Sequence, residues 1–188
     1  MKQALKMHWN KDAVRPDVTY FNLGAIGAML GHLEIHELAK RQGVKYALVL
    51  EDNVLVTDER FFKEVESVLE TLGDDFEMCF FHCHQRLSDG ELGTLEKIKW
   101  ISGMKAYVVH VDNMLKYHRY FYPMDNHIDN KMEDLVVRGA RIFYKHMEHC
   151  ISVDRTGGST IGHSPHGRKD FFSRQHPHLT PSSLRNGF

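Results

Sequence analysis

The ten residues YALVLEDNVL, residues 46–55, decide the fold class that the sequence predicts. Tyr46–Leu50 is a short, nearly all-apolar run, which is typical of a strand that is buried on both of its faces. Such strands belong to parallel sheets that helices cover on both sides. The run ends at Glu51, Asp52 and Asn53, so a core strand leads directly into polar side chains.

Helical segments flank this strand on both sides. Apolar residues recur at helical spacing from Leu23 to Leu38, and again from Phe61 to Leu72. Strands that alternate with helices indicate an α/β fold with a mostly parallel sheet flanked by helices. The remaining predicted elements are strands at 77–83, 106–111 and 141–145, and helices at 112–120 and 131–138.

The length of 188 residues fits one domain, which we assign to residues 1–165. Residues 166–188 are polar and predict a C-terminal tail with little order. Residues 85–97 are also polar and contain two glycines, so they predict a loop or a mobile flap between two strands.

Composition excludes several classes of protein. The net charge of −1 and the lack of a basic stripe argue against a nucleic-acid partner. No apolar run is long enough to predict a transmembrane segment. The N-terminus lacks the apolar core of a secretion signal, and three sparse cysteines favour a reducing compartment. We therefore expect a cytoplasmic protein, either free or peripheral to a membrane, of undetermined oligomeric state.

The acidic end of the strand has two interpretations. In open α/β sheets, ligands bind outside the carboxyl ends of the strands. Oxygen atoms from Asp52 and Asn53 would suit a hard cation such as Mn²⁺ or Mg²⁺, which also binds phosphate oxygens. The alternative is an ordinary turn, because Asp and Asn are good turn residues. The strand end by itself leaves both interpretations open.

Two motifs on the first helix have comparable alternatives. Gly24 and Gly27 lie in GAIGAMLGH, residues 24–32, where glycines would let the backbone approach a ligand or allow close helix packing. His32 and His36 are four residues apart and share a helix face. Their HLEIH context differs from the HExxH motif of zinc proteases, so the sequence does not support that class.

Two further stretches are candidates for chemistry. Asp129 directly precedes a predicted helix, so it is either the N-cap or a carboxylate that deprotonates an acceptor hydroxyl. His163 lies in TGGSTIGHS, residues 156–164, which is either a linker or a loop that contacts phosphate or a metal. This stretch lacks the ending of a phosphate-binding P-loop.

Taken in order, these motifs resemble glycosyltransferase family 25, which includes the lipooligosaccharide and collagen-type galactosyltransferases. The similarity covers roughly residues 22–165. The pieces that carry it are Gly24, Gly27-Ala28, Gly31-His32, Leu48-Val49-Leu50-Glu51-Asp52-Asn53, Ala106-Tyr107-Val108-Val109, Ile128-Asp129 and Ser159-Thr160-Ile161-Gly162.

The resemblance implies a nucleotide-diphospho-sugar transferase (GT-A-like) fold and the inverting transfer of a hexose, galactose or glucose. The donor would be a UDP-sugar, the acceptor a glycan or hydroxylated side chain, and the cofactor Mn²⁺ or Mg²⁺. Glu51, Asp52 and Asn53 would form the diphosphate and cation site. His32 would lie beside the same strand end, and Asp129 would be the general base.

Two departures from the family pattern define the alternative. The family's usual first strand has no match in residues 1–21, so we interpret the chain as truncated at its N-terminus relative to the family. Asn53 replaces the third acid of the cation motif, and a neutral amide binds a cation less strongly. The alternative is therefore a transferase-like binding module with impaired catalysis.

Overall fold

The computed structural model describes residues 23–154 and 185–186. Its helices are α1 (Leu23–Arg41), α2 (Arg60–Leu72), α3 (Val111–Leu115) and α4 (Ile128–Val137), with a 3-10 turn at His118–Phe121. Its strands are β1 (Tyr46–Leu50), β2 (Val54–Val56), β3 (Met78–His82), β4 (Gln85–Leu92), β5 (Leu95–Ser102), β6 (Ala106–His110), β7 (Ile142–Tyr144), β8 (Ile151–Val153) and β9 (Arg185–Asn186). The α/β class predicted from the sequence is confirmed.

The main sheet is mostly antiparallel, so the prediction of a mostly parallel sheet was wrong. Its strand order is β1-β6-β3-β7-β5-β4-β9, and within the described residues only β3 and β7 pair in parallel. Strands β1 and β3 do run in the same direction, with α2 between them in the chain. However, β6 lies between them in the sheet and is antiparallel to both. Alternation of strands and helices along the chain does not reveal such an insertion.

The segment 85–97 is not a loop, and this explains much of the antiparallel character. It forms β4 and the start of β5, which pair as a hairpin. Leu95, Ile98 and Trp100 are buried, while Lys97 and Lys99 are exposed. A strand with one solvated face has a polar composition, and that composition concealed the strands. In the chain, the β4–β5 hairpin connects β3 to β6. A parallel pair would need a helical crossover at this point, and this antiparallel pair does not.

Helices cover both faces of the sheet. Strands β3 and β6 are fully buried, whereas β1 lies at the sheet edge and is mostly half-buried. On β6, Tyr107 and Val109 belong to the core cluster shared with α1 and α4, and Ala106 and Val108 to the cluster shared with α2. This division follows from the alternation of side chains along a strand. Full burial on both faces was predicted for β1, where only Val49 is buried, so that prediction was wrong; β3 and β6 have this property instead, because they lie inside the sheet.

Helix α1 follows its predicted pattern except at its ends, where Leu23 and Leu38 are exposed. Its buried face includes Ile26, Met29 and Leu33, as the apolar spacing predicts. His32 and His36 also lie on the buried face. The prediction that these two histidines share one helix face is confirmed.

The small β2–β8 sheet follows the acidic end of β1 directly, with Val54 opposite Val153. Strand β9, at residues 185–186, pairs with the start of β4 and lies in the segment for which we predicted a tail. Cys79, Cys83 and Cys150 are buried free thiols. Among the described helices, none is long and apolar enough to cross a membrane.

Candidate functional site

The short loop from Gly103 to Lys105, between β5 and β6, holds two predicted site residues together. The backbone N–H of Gly103 donates to Asp129 Oδ2 at 2.7 Å. Lys105 Nζ forms an ion pair with Glu51 Oε2 at 2.6 Å, and the Glu51 N–H donates to the Lys105 carbonyl at 2.8 Å. The carboxyl end of β1 and the start of α4 therefore meet at one loop.

The register of the β1–β6 pair explains the position of Glu51. Leu50 pairs with Ala106 in an antiparallel ladder, so the next residue of β1 lies opposite Lys105. The Val54 N–H donates to the Glu51 carbonyl at 3.0 Å, which closes a turn just after the strand. The turn interpretation of Glu51-Asp52-Asn53 is therefore correct for the backbone.

Asp129 lies inside helix α4 rather than at its N-cap. The helix begins at Ile128, earlier than predicted, and His127 is the N-cap. Asp129 Oδ1 accepts the Asn130 N–H at 2.9 Å, while Oδ2 accepts the Gly103 N–H. A carboxylate in the first helical turn is also stabilised by the helix dipole. These contacts fix the orientation of a half-buried carboxylate.

His32 reaches the same place from α1. Its ring is buried, with Nδ1 2.8 Å from Tyr107 Oη and Nε2 3.9 Å from Glu51 Oε1. Burial lowers the pKa of His32, while the negative charges of Glu51 and Asp129 act in the opposite direction. The imidazole is therefore neutral at pH 7. The 3.9 Å separation from Glu51 places the ring at the acidic end of β1.

Gly103 can only be glycine in this conformation. Its φ is +90°, in the region that L residues rarely adopt. A Cβ at this position would lie 2.8 Å from the His84 ring Cδ2. The loop that joins Asp129 to the β1 end therefore depends on a residue without a side chain.

The predicted cation ligands differ in their surroundings. Asp52 is exposed, and Asn53 is half-buried, with its carbonyl accepting the Asp154 N–H at 2.8 Å. The Asn53 side-chain oxygen Oδ1 is buried and has no hydrogen-bond partner within the described part of the chain. Carboxylate and amide oxygens are ligand types that Mn²⁺ or Mg²⁺ take, with water and phosphate completing the shell, so Asp52 and Asn53 would be the residues to hold such an ion.

A self-contained protein metal site is absent from residues 23–154 and 185–186, because no three His, Cys, Asp or Glu side chains there are grouped to hold an ion. His163, which we predicted as a third ligand, lies outside the described residues. Strand β8 ends at Val153, so the chain enters this undescribed segment close to Asn53.

Of the two predicted glycines, Gly27 has no tight contact among the described residues that would explain it. Gly24 is half-buried at the start of α1, and Gly27 is exposed on the same helix. A Cβ at Gly27 would meet nothing within 4 Å among the described residues. Close helix packing therefore does not require glycine at position 27, and its backbone is accessible.

Lys105, Tyr107 and Gly103 were not predicted as site residues. Lys105 immediately precedes the predicted strand at 106–111, and Tyr107 is an inward-facing residue of that strand. The pairing of this strand with β1 brings Lys105 to Glu51. No local pattern marks these residues, because their contacts come from strands distant in the chain.

No known protein-family model matches this chain, and no curated protein matches it significantly.

Proposed function

We propose that the chain is a cation-assisted glycosyltransferase of family 25 that transfers a hexose from a UDP-sugar to a glycan or hydroxylated acceptor with inversion. We also propose that its mixed sheet is a variant of the GT-A type. The observation that carries the proposal is the attachment of Glu51 and Asp129 to one loop, at Lys105 and Gly103 respectively. A transferase needs a group that binds the donor and a base for the acceptor that are held close to each other.

The donor end of the proposed site centres on β1. Lys105 supplies a positive charge, held in place by Glu51, that can bind a phosphate oxygen of the diphosphate. A divalent cation bound at Asp52 and Asn53 would stabilise the negative charge that develops on the leaving diphosphate. The accessible backbone at Gly24 and Gly27 permits a ligand to approach α1.

The acceptor end centres on Asp129. Its carboxylate would receive the proton of the acceptor hydroxyl while the hydroxyl oxygen bonds to the anomeric carbon. The bond from that carbon to the phosphate oxygen breaks at the same time, and UDP leaves with the electron pair. The Gly103 and Asn130 N–H groups fix the orientation of the base.

A second candidate is a binding module that takes the nucleotide-sugar without turning it over. Two observations favour it. Asn53 contributes a neutral oxygen where an acid would bind the cation more strongly. In addition, each Asp129 oxygen already accepts a backbone N–H, and these bonds stabilise the carboxylate and so weaken it as a base.

Transfer and hydrolysis of UDP-galactose and UDP-glucose in the presence of Mn²⁺ test the proposal. We expect turnover by the wild type and a loss of at least about 100-fold in Asp129→Asn, which keeps the shape but not the base. Asp134→Asn, on an exposed position of α4, is the matched control. Calorimetry with UDP and Mn²⁺ separates the two candidates.

Turnover that is equal in wild type and Asp129→Asn contradicts the assigned base. Asp52→Ala should weaken UDP binding in Mn²⁺ but not in EDTA, and an equal effect in both would contradict the cation site. Binding without turnover in the wild type supports the module. An absence of both binding and turnover rejects both candidates.

We place this activity in the cytoplasm. Three buried free thiols, Cys79, Cys83 and Cys150, fit a reducing compartment. Burial raises the pKa of Cys83 to about 11, so this thiol stays protonated and unreactive at neutral pH.

A further inference from the structure

A line of hydrogen-bonding side chains runs from the surface through the protein to the candidate site. His118 Nδ1 lies 3.5 Å from Glu37 Oε1, and His118 Nε2 lies 3.1 Å from His36 Nδ1. His36 Nε2 lies 3.2 Å from Tyr107 Oη, which is in turn 2.8 Å from His32 Nδ1. The final atom, His32 Nε2, is the one that faces the Glu51 carboxylate.

All three imidazoles of this line are neutral at pH 7. Burial lowers the pKa of His36 to about 3, with further contributions from its two histidine neighbours. Burial also lowers the pKa of His32 and of His118, although Glu37 opposes it at His118. A neutral imidazole has one N–H donor and one acceptor nitrogen, and a tyrosine hydroxyl donates once. The Tyr107 oxygen can also accept, but its hydroxyl is buried, so a hydroxyl that donated to neither histidine would remain unpaired at a cost of about 1–3 kcal/mol. With the hydroxyl donating within the line, the direction of any one bond fixes the direction of every other bond.

The two ends of the line compete for its hydrogen atoms, because each end faces a carboxylate. At the surface, His118 Nδ1 is within hydrogen-bond range of Glu37. At the site, His32 Nε2 is 3.9 Å from Glu51, too far for a hydrogen bond, and Lys105 at 2.6 Å already balances the Glu51 charge. The hydrogen of His118 is therefore directed to Glu37.

The direction of the His118–Glu37 contact determines the direction of each bond further inside the protein. When His118 donates from Nδ1, its Nε2 accepts from His36 Nδ1–H. His36 Nε2 then accepts the hydroxyl hydrogen of Tyr107, and the Tyr107 oxygen accepts from His32 Nδ1–H. His32 Nε2 is left without a hydrogen, with its lone pair directed into the site beside Glu51.

We propose that Glu37, acting through His118, His36 and Tyr107, fixes His32 as the tautomer whose Nε2 accepts a hydrogen bond at the candidate site. These four are positioning residues, and His32 is the group that would touch ligand. A bare nitrogen accepts from a hydroxyl and cannot donate to a phosphate oxygen. The identity of the ligand rests on the proposed function. With that ligand, His32 would accept from a sugar hydroxyl and would not contact the diphosphate.

The nitrogen-15 NMR spectrum of the ligand-free protein tests the tautomer directly, because protonated and bare ring nitrogens have distinct shifts. The His32 signals are assigned by their loss in His32→Gln. We expect Nδ1 of His32 to be the protonated nitrogen at pH 7.5. Protonation at Nε2 in the wild type would overturn the proposal.

The surface end of the line supplies the decisive variants. Glu37→Lys places a donor where the acceptor was, so His118 Nδ1 becomes the acceptor and every bond reverses, moving the His32 hydrogen to Nε2. Glu37→Gln, which can donate or accept, should give a mixture of tautomers. Glu34→Lys, an exposed glutamate on the same helix, is the matched control and should leave His32 unchanged.

An unchanged His32 tautomer in Glu37→Lys would show that the buried contacts do not transmit a direction, and would overturn the inference. Because Glu37 is half-exposed, its variants are expected to fold. Tyr107→Phe, which removes the central hydroxyl, should uncouple His32 from Glu37, so that Glu37→Lys has no further effect in that background. A persistent effect of Glu37 there also counts against the line.

These spectra need neither ligand nor turnover, so they can succeed when the proposed function fails. Adding methyl galactoside with UDP should shift His32 Nε2, whereas UDP alone should not. A shift with UDP alone would place the nucleotide at Nε2 and contradict the assignment of His32 to a hydroxyl of the transferred hexose. The expected tautomer with no response to either ligand would support the line and reject the proposed donor site.

Discussion

The buried histidine line should make the protein sensitive to mild acid, and His36 is the residue with the largest expected effect. Its side chain is 0% exposed, and burial lowers its pKa to about 3 from the ordinary 6.5. The unfolded chain therefore binds a proton at pH values where the folded protein does not. Stability is fully present above pH 6.5 and is lost as the pH falls below it.

The size of the effect follows from these two pKa values. Each pH unit between 6.5 and about 3 lowers the free energy of unfolding by about 1.4 kcal/mol per histidine. At pH 5, His36 alone therefore contributes a loss of about 2 kcal/mol relative to pH 7.5. His32 and His118 have pKa values lowered in the same direction, so the wild type should lose more than this amount.

The variant His36→Gln isolates the effect, because glutamine does not titrate and can still donate and accept hydrogen bonds. Urea unfolding at pH 7.5 and pH 5 gives the free energy of unfolding of each protein. The loss between the two pH values should be about 2 kcal/mol smaller in His36→Gln than in the wild type. His149→Gln, at an exposed position, controls for the removal of one imidazole. Equal losses in wild type and His36→Gln would refute the reasoning.

Two stability predictions come with internal controls. Gly103→Ala should lower the free energy of unfolding by about 1–3 kcal/mol, because the new Cβ would lie 2.8 Å from His84 at a φ of +90°. Gly27→Ala on α1 should raise the free energy of unfolding by about 0.5–1 kcal/mol. Equal effects on urea unfolding would contradict this account of the loop. Phe61→Ala should lower the free energy of unfolding by about 3–5 kcal/mol because the ring is fully buried, and Phe62→Ala should lower it far less because Phe62 is exposed. Similar thermal midpoints for the two variants would contradict the assigned core face of α2.

The candidate site was predictable in part. Glu51, His32 and Asp129 stood out because each lies at the end or on the face of a recognisable element. The structure attaches Glu51 and Asp129 to one loop and places His32 3.9 Å from Glu51. Lys105 and Tyr107 carried no such mark. Their roles arise from the pairing of β6 with β1 and from the packing of α1 over the sheet.

The sequence by itself determined the elements and their buried faces, because helical and strand periodicities are local properties of a dozen residues. It identified α1, α2 and the four apolar strands but missed the short β2 and β8, and it missed the β4–β5 hairpin, which has a solvated face. The tertiary structure alone decided that β6 enters the sheet between β1 and β3, and hence that the sheet is mostly antiparallel. A buried apolar strand has the same composition in either direction, since only its hydrogen-bond partners, far away in the chain, distinguish the two arrangements.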